Sequence, residues 1–123
     1  MRITITHTID DLADDCRAIA VGAKQDMADV VEDNAKAGNR IAKAFATESA
    51  GSHGKHYPDR FSPEQIGALE WEYGPSGRPQ GEMSFEFGSR NSPPHMDLNR
   101  SADIIGPKFG ADVAALAGRW FWP

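Results

Sequence analysis

The segment EWEYGPSGRPQGEMSFEFGSRNSPPHMDLNRSA, residues 70–102, decides how this sequence folds. Together with the residue before it, the segment contains two short runs of alternating apolar residues, Leu69-Trp71-Tyr73 and Met83-Phe85-Phe87. Alternation with a period of two is typical of half-buried β-strands, and glycine and proline fill the connection between the runs. The sequence therefore predicts a β-hairpin within residues 61–88, on which flanking helices pack.

Residues 62–65, Ser-Pro-Glu-Gln, allow either a helix start or the beginning of the first strand. Serine at the N-cap followed by proline at the first helical position obeys the rules for a helix N-terminus. Gly67 and the alternation through Trp71 and Tyr73 favour a strand that bulges near Gly67. We therefore predict a strand here.

A long amphipathic helix is predicted over residues 9–47, preceded at residues 1–8 by either a short strand or an extended arm. Its apolar stripe has steps of three or four residues and one polar member, Asn34: Leu12, Cys16, Ile19, Ala23, Met27, Val30, Asn34, Ala37, Ile41 and Phe45. Gly22 and Gly38 are weak points that cost about 1 kcal/mol each relative to alanine. One hairpin cannot cover so long a stripe, so either the C-terminal helix or a neighbouring subunit covers the remainder.

A second helix is predicted over residues 94–120, with Asp97 in its first turn. Gly106-Pro107 is expected to kink or split this helix, because proline lacks a backbone donor and crowds the preceding turn. The chain then closes on the aromatic run Trp120-Phe121-Trp122. Such residues either contact a partner surface or dock into the chain's own core.

The 123 residues suit one α+β domain, and the composition of 40% apolar and 25% charged residues is that of a globular protein. A net charge of −5 argues against a surface that grips nucleic acid, although it suits a channel through which DNA passes without specific binding. Cys16 is the only cysteine, which excludes an internal disulfide. No apolar run approaches a membrane span, and the N-terminus lacks an apolar core of signal-peptide length.

The loop predicted at residues 48–60 carries the only arrangement that suggests metal chemistry. His53 and His56 have H-x-x-H spacing and Asp59 follows, but the residues lie on a glycine- and proline-rich loop without a rigid scaffold. The glycines of residues 74–81 lack the spacing of a phosphate-binding loop. We therefore predict no enzyme, no catalytic or metal site and no cofactor.

The segments EYGPSGRPQG, FEFGSRNSPPHMDLNRSADIIGPKF and SHGKHYP resemble the minor tail or head–tail joining (neck) proteins of long-tailed double-stranded DNA phages, particularly those of actinobacterial hosts. The resemblance covers roughly residues 30–120 and includes the strand end Glu72-Tyr73-Gly74 and the proline-bearing turn Pro93-Pro94. Many relatives have a proline-x-aspartate-threonine-glycine turn after the first helix. This chain has residues 54–58, Gly-Lys-His-Tyr-Pro, at that point, which indicates a divergent branch.

The resemblance implies a structural virion protein that joins the portal side of the neck to the tail tube. It implies a homo-oligomeric ring of six or twelve subunits, contacts with other phage neck and tail proteins, and assembly in the host cytoplasm. Heterologous contacts of this kind close into rings. The residues that we expect at the subunit interface are Tyr73, Arg78, Arg90, Trp120, Phe121 and Trp122. The alternatives are a tail terminator subunit and a small host-directed binding protein without catalysis.

Overall fold

The structure is a computed structural model with an α+β architecture, in which two helices pack together and a two-stranded antiparallel sheet lies against them. The residues that it describes are 1–4, 9–52, 54–76, 86–88, 90 and 93–122. The predicted fold class, a long N-terminal helix with a small antiparallel sheet and a C-terminal helix, is confirmed.

Helix α1 spans Ile9–Ser49, in agreement with the predicted bounds of 9–47. Its first turn contains Asp10 and Asp11, whose carboxylates interact favourably with the positive end of the helix dipole. The helix ends shortly before Gly51, which has a φ of 62°, a conformation that glycine adopts without strain. The apolar periodicity of the sequence is therefore a sound guide to this helix.

The segments that flank α1 are less regular. Residues 1–4 are exposed and have no regular secondary structure, while residues 5–8 lie outside the described part of the chain. The predicted loop at 48–60 is observed as turns beyond the end of α1, followed by a short 3₁₀ helix at Pro58–Arg60.

Helix α2 spans Asp97–Phe121 and is continuous, so of the two expected effects of Gly106-Pro107 a split is wrong, while a kink stays a prediction. Pro107 cannot donate to the carbonyl of Asp103 one turn earlier. Both residues are exposed, so water can hydrogen bond to that carbonyl in place of the missing donor. The cost of the proline is thereby reduced on the solvent side of the helix.

The two helices run antiparallel. Ser49 at the end of α1 contacts Asp97 at the start of α2, Asn34 contacts Asp112, and Asp26 contacts Trp120 near the end of α2. Helix α2 therefore reaches only as far as Asp26, and the part of α1 before this residue extends beyond it.

The hairpin is formed by strands β1 (Phe61–Gly67) and β2 (Glu70–Pro75), with Phe61 opposite Pro75. We predicted one strand that bulges near Gly67; the chain instead turns at residues 68–69, and an irregularity in register lies between Gln65 and Gly67. A short turn closes a hairpin at a smaller entropic cost than the glycine- and proline-rich loop that was expected to do so.

The predicted second strand, Met83-Phe85-Phe87, is therefore not the partner of Trp71 and Tyr73, which pair with β1. Residues 83–85 lie outside the described residues, and Glu86 and Phe87 are helical. Glu86 lies beside the start of α2, where its backbone carbonyl accepts from the N–H of Met96 at 3.0 Å.

The core lies at the C-terminal half of α1. Ala42 and Ala46 are fully buried against Tyr57 and Phe61, whose rings meet edge to face with centroids 5.0 Å apart. Small side chains on α1 allow these rings to approach its backbone closely. No residue of α1 before Asn34 is buried, so the core covers only one end of the long apolar stripe.

Candidate functional site

A cluster of buried polar side chains lies where α2 begins. The backbone N–H groups of Leu98 and Asn99 donate to the two carboxylate oxygens of Glu86, each at 2.9 Å. Met96, the residue before α2, has a φ of 56° and offers no side-chain cap, so Glu86 satisfies the first turn from a distant point in the chain. Glu86 therefore fixes the start of α2.

Asp97 is the second carboxylate of this cluster and is fully buried. The hydroxyl of Ser49 donates to its carboxylate, with both oxygens at 3.0 Å. Burial raises the pKa of Asp97 because it disfavours the charged form, and the Ser49 hydrogen bond and the nearby His95 oppose this rise. The Ser49–Asp97 hydrogen bond ties the end of α1 to the start of α2.

The cluster combines serine, histidine and aspartate, but the arrangement does not suit nucleophilic catalysis. In a catalytic triad the histidine lies between the hydroxyl and the carboxylate, so that it can accept the hydroxyl proton. Here Ser49 donates directly to Asp97, and His95 Nδ1 lies 3.8 Å from the same carboxylate. The geometry supports a role in holding the two helices together.

A second polar contact lies further along the helix pair. Asn34 is 4% exposed, and its Nδ2 donates to the carbonyl of Val30 and to Asp112 of α2, both at 2.9 Å. Lys108 donates to the same Asp112 carboxylate at 2.8 Å, and its hydrogen bond lowers the pKa of Asp112. The one polar member of the α1 stripe thus has a partner on α2.

Tyr73, a predicted interface residue, lies within the fold. A Cβ added at Gly38 would lie 2.5 Å from the Tyr73 ring, so the glycine is what allows the ring to rest on α1. The Tyr73 hydroxyl also lies 2.9 Å from the Ser101 hydroxyl of α2. Tyr73 therefore joins both helices to the sheet within one chain, and its interface role stays a prediction.

The sequence allows the three aromatic residues at the end of α2 either to dock into the chain's own core or to remain exposed for a partner, and both environments are observed. Trp120 docks on its own chain, because its indole N–H donates to Asp26 at 2.8 Å. Phe121 and Trp122 are 60% and 81% exposed, and their rings contact each other edge to face. The interface role expected of Phe121 and Trp122 stays a prediction.

The remaining predicted interface residues are the arginines Arg78 and Arg90. Arg90 is exposed, and Arg78 lies outside the described residues. Of the weighed metal ligands, His56 and Asp59 are exposed and His53 is also outside them. Within the described part of the chain, no three histidine, cysteine or acidic side chains are grouped so that they could hold a metal ion.

The N-terminal part of α1, residues 9–25, has large apolar side chains in solvent. Ile9 and Val21 are 85% and 81% exposed, and Leu12 is 55% exposed. We call residues 9–25 together with Phe121 and Trp122 the projecting end, since Trp120 fixes the end of α2 beside Asp26. The projecting end thus contains five of the large apolar side chains that are exposed in the described residues: Ile9, Leu12, Val21, Phe121 and Trp122.

An apolar groove of about 290 Å³ lies on the side of the helix pair, between α1, β2 and α2. Its walls include Val31 and Ala35 of α1, Trp71 of β2, and Ile105 and Phe109 of α2. Asn34 and Tyr73 are its polar members and the rest of its lining is apolar, so the groove suits a mainly apolar group.

The sequence interpretation did not identify the Glu86–Asp97 cluster as a site. Asp97 was expected in the first turn of the C-terminal helix, which is confirmed, but Glu86 was assigned to a strand. A glutamate ten residues before a helix carries no local signal of capping, because the contact depends on the path of the intervening loop.

The chain matches no protein-family model, no curated protein and no solved structure. Among the described residues, neither helix is apolar enough over a sufficient length to cross a membrane.

Proposed function

We propose that this protein is a structural virion protein, a ring-forming subunit at the head–tail junction of a long-tailed phage, where it joins portal-side proteins to the tail tube. The sequence motifs around Glu72-Tyr73-Gly74 and Pro93-Pro94 support the family. The uncovered projecting end supports the assembly role, and it is the observation that carries the proposal.

The projecting end is better explained by assembly than by the stability of a single subunit. Exposed side chains such as Val21 and Trp122 contribute no burial to the isolated chain. Each would gain about 1.5–3 kcal/mol if a neighbour covered it fully. We therefore expect a second copy or a neck partner to cover the projecting end and to be stabilised by this burial.

The polar cluster at the start of α2 serves the same role indirectly. Glu86 and Asp97 hold the start of α2 against the end of α1, so that residues 9–25 project from a fixed base. A rigid base matters for a ring, because small errors in the angle between subunits accumulate around the closed assembly. The net charge of −5 suits a ring through which DNA passes without being held.

Two measurements test this proposal. Native mass spectrometry of the purified full-length chain is expected to give a closed oligomer of six or twelve subunits. Quantitative mass spectrometry of phage particles that carry this gene is expected to find the chain in stoichiometric amounts. A chain that stays monomeric at high concentration and is absent from particles would contradict the proposal.

Variants of the projecting end sharpen the test. Replacing Phe121 and Trp122 with alanine is expected to reduce oligomer formation, since both are exposed and aromatic. The matched control is Ile104→Ala, which removes an apolar side chain that is 48% exposed elsewhere on α2. The control variant is expected to assemble as the parent chain does.

A further inference from the structure

The charges of this chain are separated along α1 and the loop that follows it. Between residues 9 and 33 the chain carries eight acidic and two basic side chains, whereas between residues 34 and 60 it carries five basic and two acidic ones. All of these side chains are exposed or half-buried. Residues 9–25 of the projecting end account for four of these acidic side chains and both basic ones, so this end is modestly acidic, whereas residues 34–60 are basic by three charges.

The two ends are too far apart to neutralise each other within one molecule. At 1.5 Å per residue, Asp14 and Lys43 lie roughly 40 Å apart along α1. At physiological ionic strength, charges in solvent are screened over about 8 Å. Each end therefore presents its own charge to other molecules.

The basic end also has an exposed apolar side chain. Arg100 lies there, with its guanidinium carbon 3.9 Å from the centroid of the Phe45 ring near the end of α1. Phe87 is 56% exposed and follows Glu86, which binds the start of α2 beside Ser49. We define the basic end by the exposed residues Arg40, Lys43, Lys55, Arg60, Phe87, Arg90 and Arg100.

We propose that the projecting end of one copy docks on the basic end of a second copy of this chain. Acidic side chains of residues 9–25 would face basic ones, and apolar side chains such as Leu12 would face Phe87. This contact is the subunit interface of the proposed oligomer, and the inference rests on the proposed function. It joins two different surfaces, so it repeats from copy to copy and closes into a ring where the rotation allows.

The charge pattern disfavours the symmetric alternative, in which two projecting ends pack against each other. That contact would bring Asp10, Asp11, Asp14 and Asp15 of both copies together. Like charges placed across an interface repel and suppress the pairing. The second copy is therefore expected to offer its basic end.

A charge-exchange experiment on the full chain tests this contact. One variant carries Asp14→Lys and Asp15→Lys, and the other carries Arg40→Glu and Lys43→Glu. All four positions are exposed, so both variants are expected to keep the helical circular dichroism of the parent chain. Neutral versions of the same pairs, with asparagine or glutamine, provide a second set with smaller perturbation.

Each charge-reversed variant alone is expected to self-associate at least ~10-fold more weakly than the parent chain in analytical ultracentrifugation. An equimolar mixture is expected to recover association, because the lysine-bearing projecting end of one variant then meets the glutamate-bearing basic end of the other. The neutral versions are expected to weaken association to a smaller extent, and 0.5 M salt is expected to weaken the parent oligomer.

The alternatives give different results. The proposed contact is wrong if the variant at Arg40 and Lys43 assembles like the parent, or if mixing the two variants does not restore association. In either case an oligomeric parent chain leaves the ring proposal intact. If the parent chain itself does not assemble, both proposals fail. The control for the variant at Asp14 and Asp15 is Glu64→Lys with Glu70→Lys on the hairpin, which changes the net charge by the same amount and sign at exposed sites outside both ends and is expected to assemble like the parent.

Discussion

The two parts of helix α1 share one apolar periodicity but have opposite environments. From Asn34 onward α1 has fully buried small residues, such as Ala42 and Ala46 beside the predicted stripe, while the stripe members Ile41 and Phe45 are half-buried. Before Asn34 the side chains are larger and none is buried, and Ile9 and Val21 are almost fully exposed. Periodicity alone thus predicts a helix and its apolar face, but not what covers that face.

The difference in side-chain size has a physical reason. Alanine and glycine let α2 and the Tyr73 ring approach the backbone of α1, which creates a dense core from few residues. Larger side chains such as Leu12 would prevent so close an approach, but they can fill the spaces of a separate partner surface. The predictions below compare matched positions in the two parts of the molecule.

The largest effect is expected from a leucine-to-alanine pair. Leu116 of α2 is 1% exposed, and its replacement by alanine is expected to lower the free energy of unfolding by about 2–5 kcal/mol. Leu12→Ala, at a position that is 55% exposed, is expected to change it by less than about 0.5 kcal/mol in dilute solution. Urea unfolding at low protein concentration measures both, and equal losses would contradict the comparison.

A glycine-to-alanine pair follows. At Gly38 the new methyl group would meet the Tyr73 ring, so Gly38→Ala is expected to destabilise the fold by about 1–3 kcal/mol. At Gly22 no atom lies within 4 Å of the added Cβ, so Gly22→Ala is expected to stabilise α1 by up to about 1 kcal/mol. Thermal unfolding monitored by circular dichroism compares the two variants. A stabilising Gly38→Ala would show that the ring does not rest on α1.

The cap at the start of α2 is expected to contribute less. Glu86→Gln replaces one of two carboxylate acceptors with a donor that faces a backbone N–H, so a loss of about 1–2 kcal/mol is expected. Glu64→Gln, at an exposed position of β1, is the matched control and is expected to have almost no effect. Chemical denaturation distinguishes them. A Glu86 variant as stable as its control would remove the capping role.

The smallest expected effect is the change in stability when Asp97 or Asp112 is replaced by asparagine. This change depends on pH and has opposite signs at the two positions. Burial raises the pKa of Asp97, so its contribution to stability is present below the ordinary aspartate pKa and is lost as the pH rises through the raised value. Asp97→Asn is therefore expected to stabilise the fold at pH 7, with a gain that disappears in acid.

Asp112 provides the comparison, because Lys108 lowers its pKa. Its contribution is present above the ordinary aspartate pKa and is lost as the pH falls through the lowered value. Asp112→Asn is expected to destabilise the fold at pH 7 and to have no effect in strong acid. Urea unfolding of both variants at pH 7 and pH 3 measures the signs, and a shared sign would contradict the assigned environments.

The sequence was sufficient to predict both helices, because each has a long apolar stripe that leaves few alternatives. It was insufficient for the hairpin. Strand β1 contains Ser62, Pro63, Glu64 and Gln65, which give little alternation, and its turn at residues 68–69 has no glycine, asparagine or proline. The aromatic run at residues 83–87 gave a stronger strand signal, although Trp71 and Tyr73 pair elsewhere.

The candidate site was predictable only in part. The aromatic run at residues 120–122 predicts a contact surface. Phe121 and Trp122 are exposed, and their role in an interface stays a prediction. Which aromatic residue belongs to the core depends on tertiary contacts, such as the Tyr73 ring over Gly38 and the Trp120 indole on Asp26. The capping by Glu86 depends on a loop path that no local pattern encodes.

Amide hydrogen exchange along α1, measured in dilute and in concentrated solutions of the full chain, tests the central claim most directly. We predict slow exchange from Asn34 to Ser49 at every concentration, because this part belongs to the core. We predict fast exchange in residues 9–25 in dilute solution and slow exchange once the chain assembles. The claim is that assembly covers the exposed N-terminal part of α1. Equal protection of both parts in the monomer, or fast exchange in residues 9–25 within the oligomer, would contradict this claim.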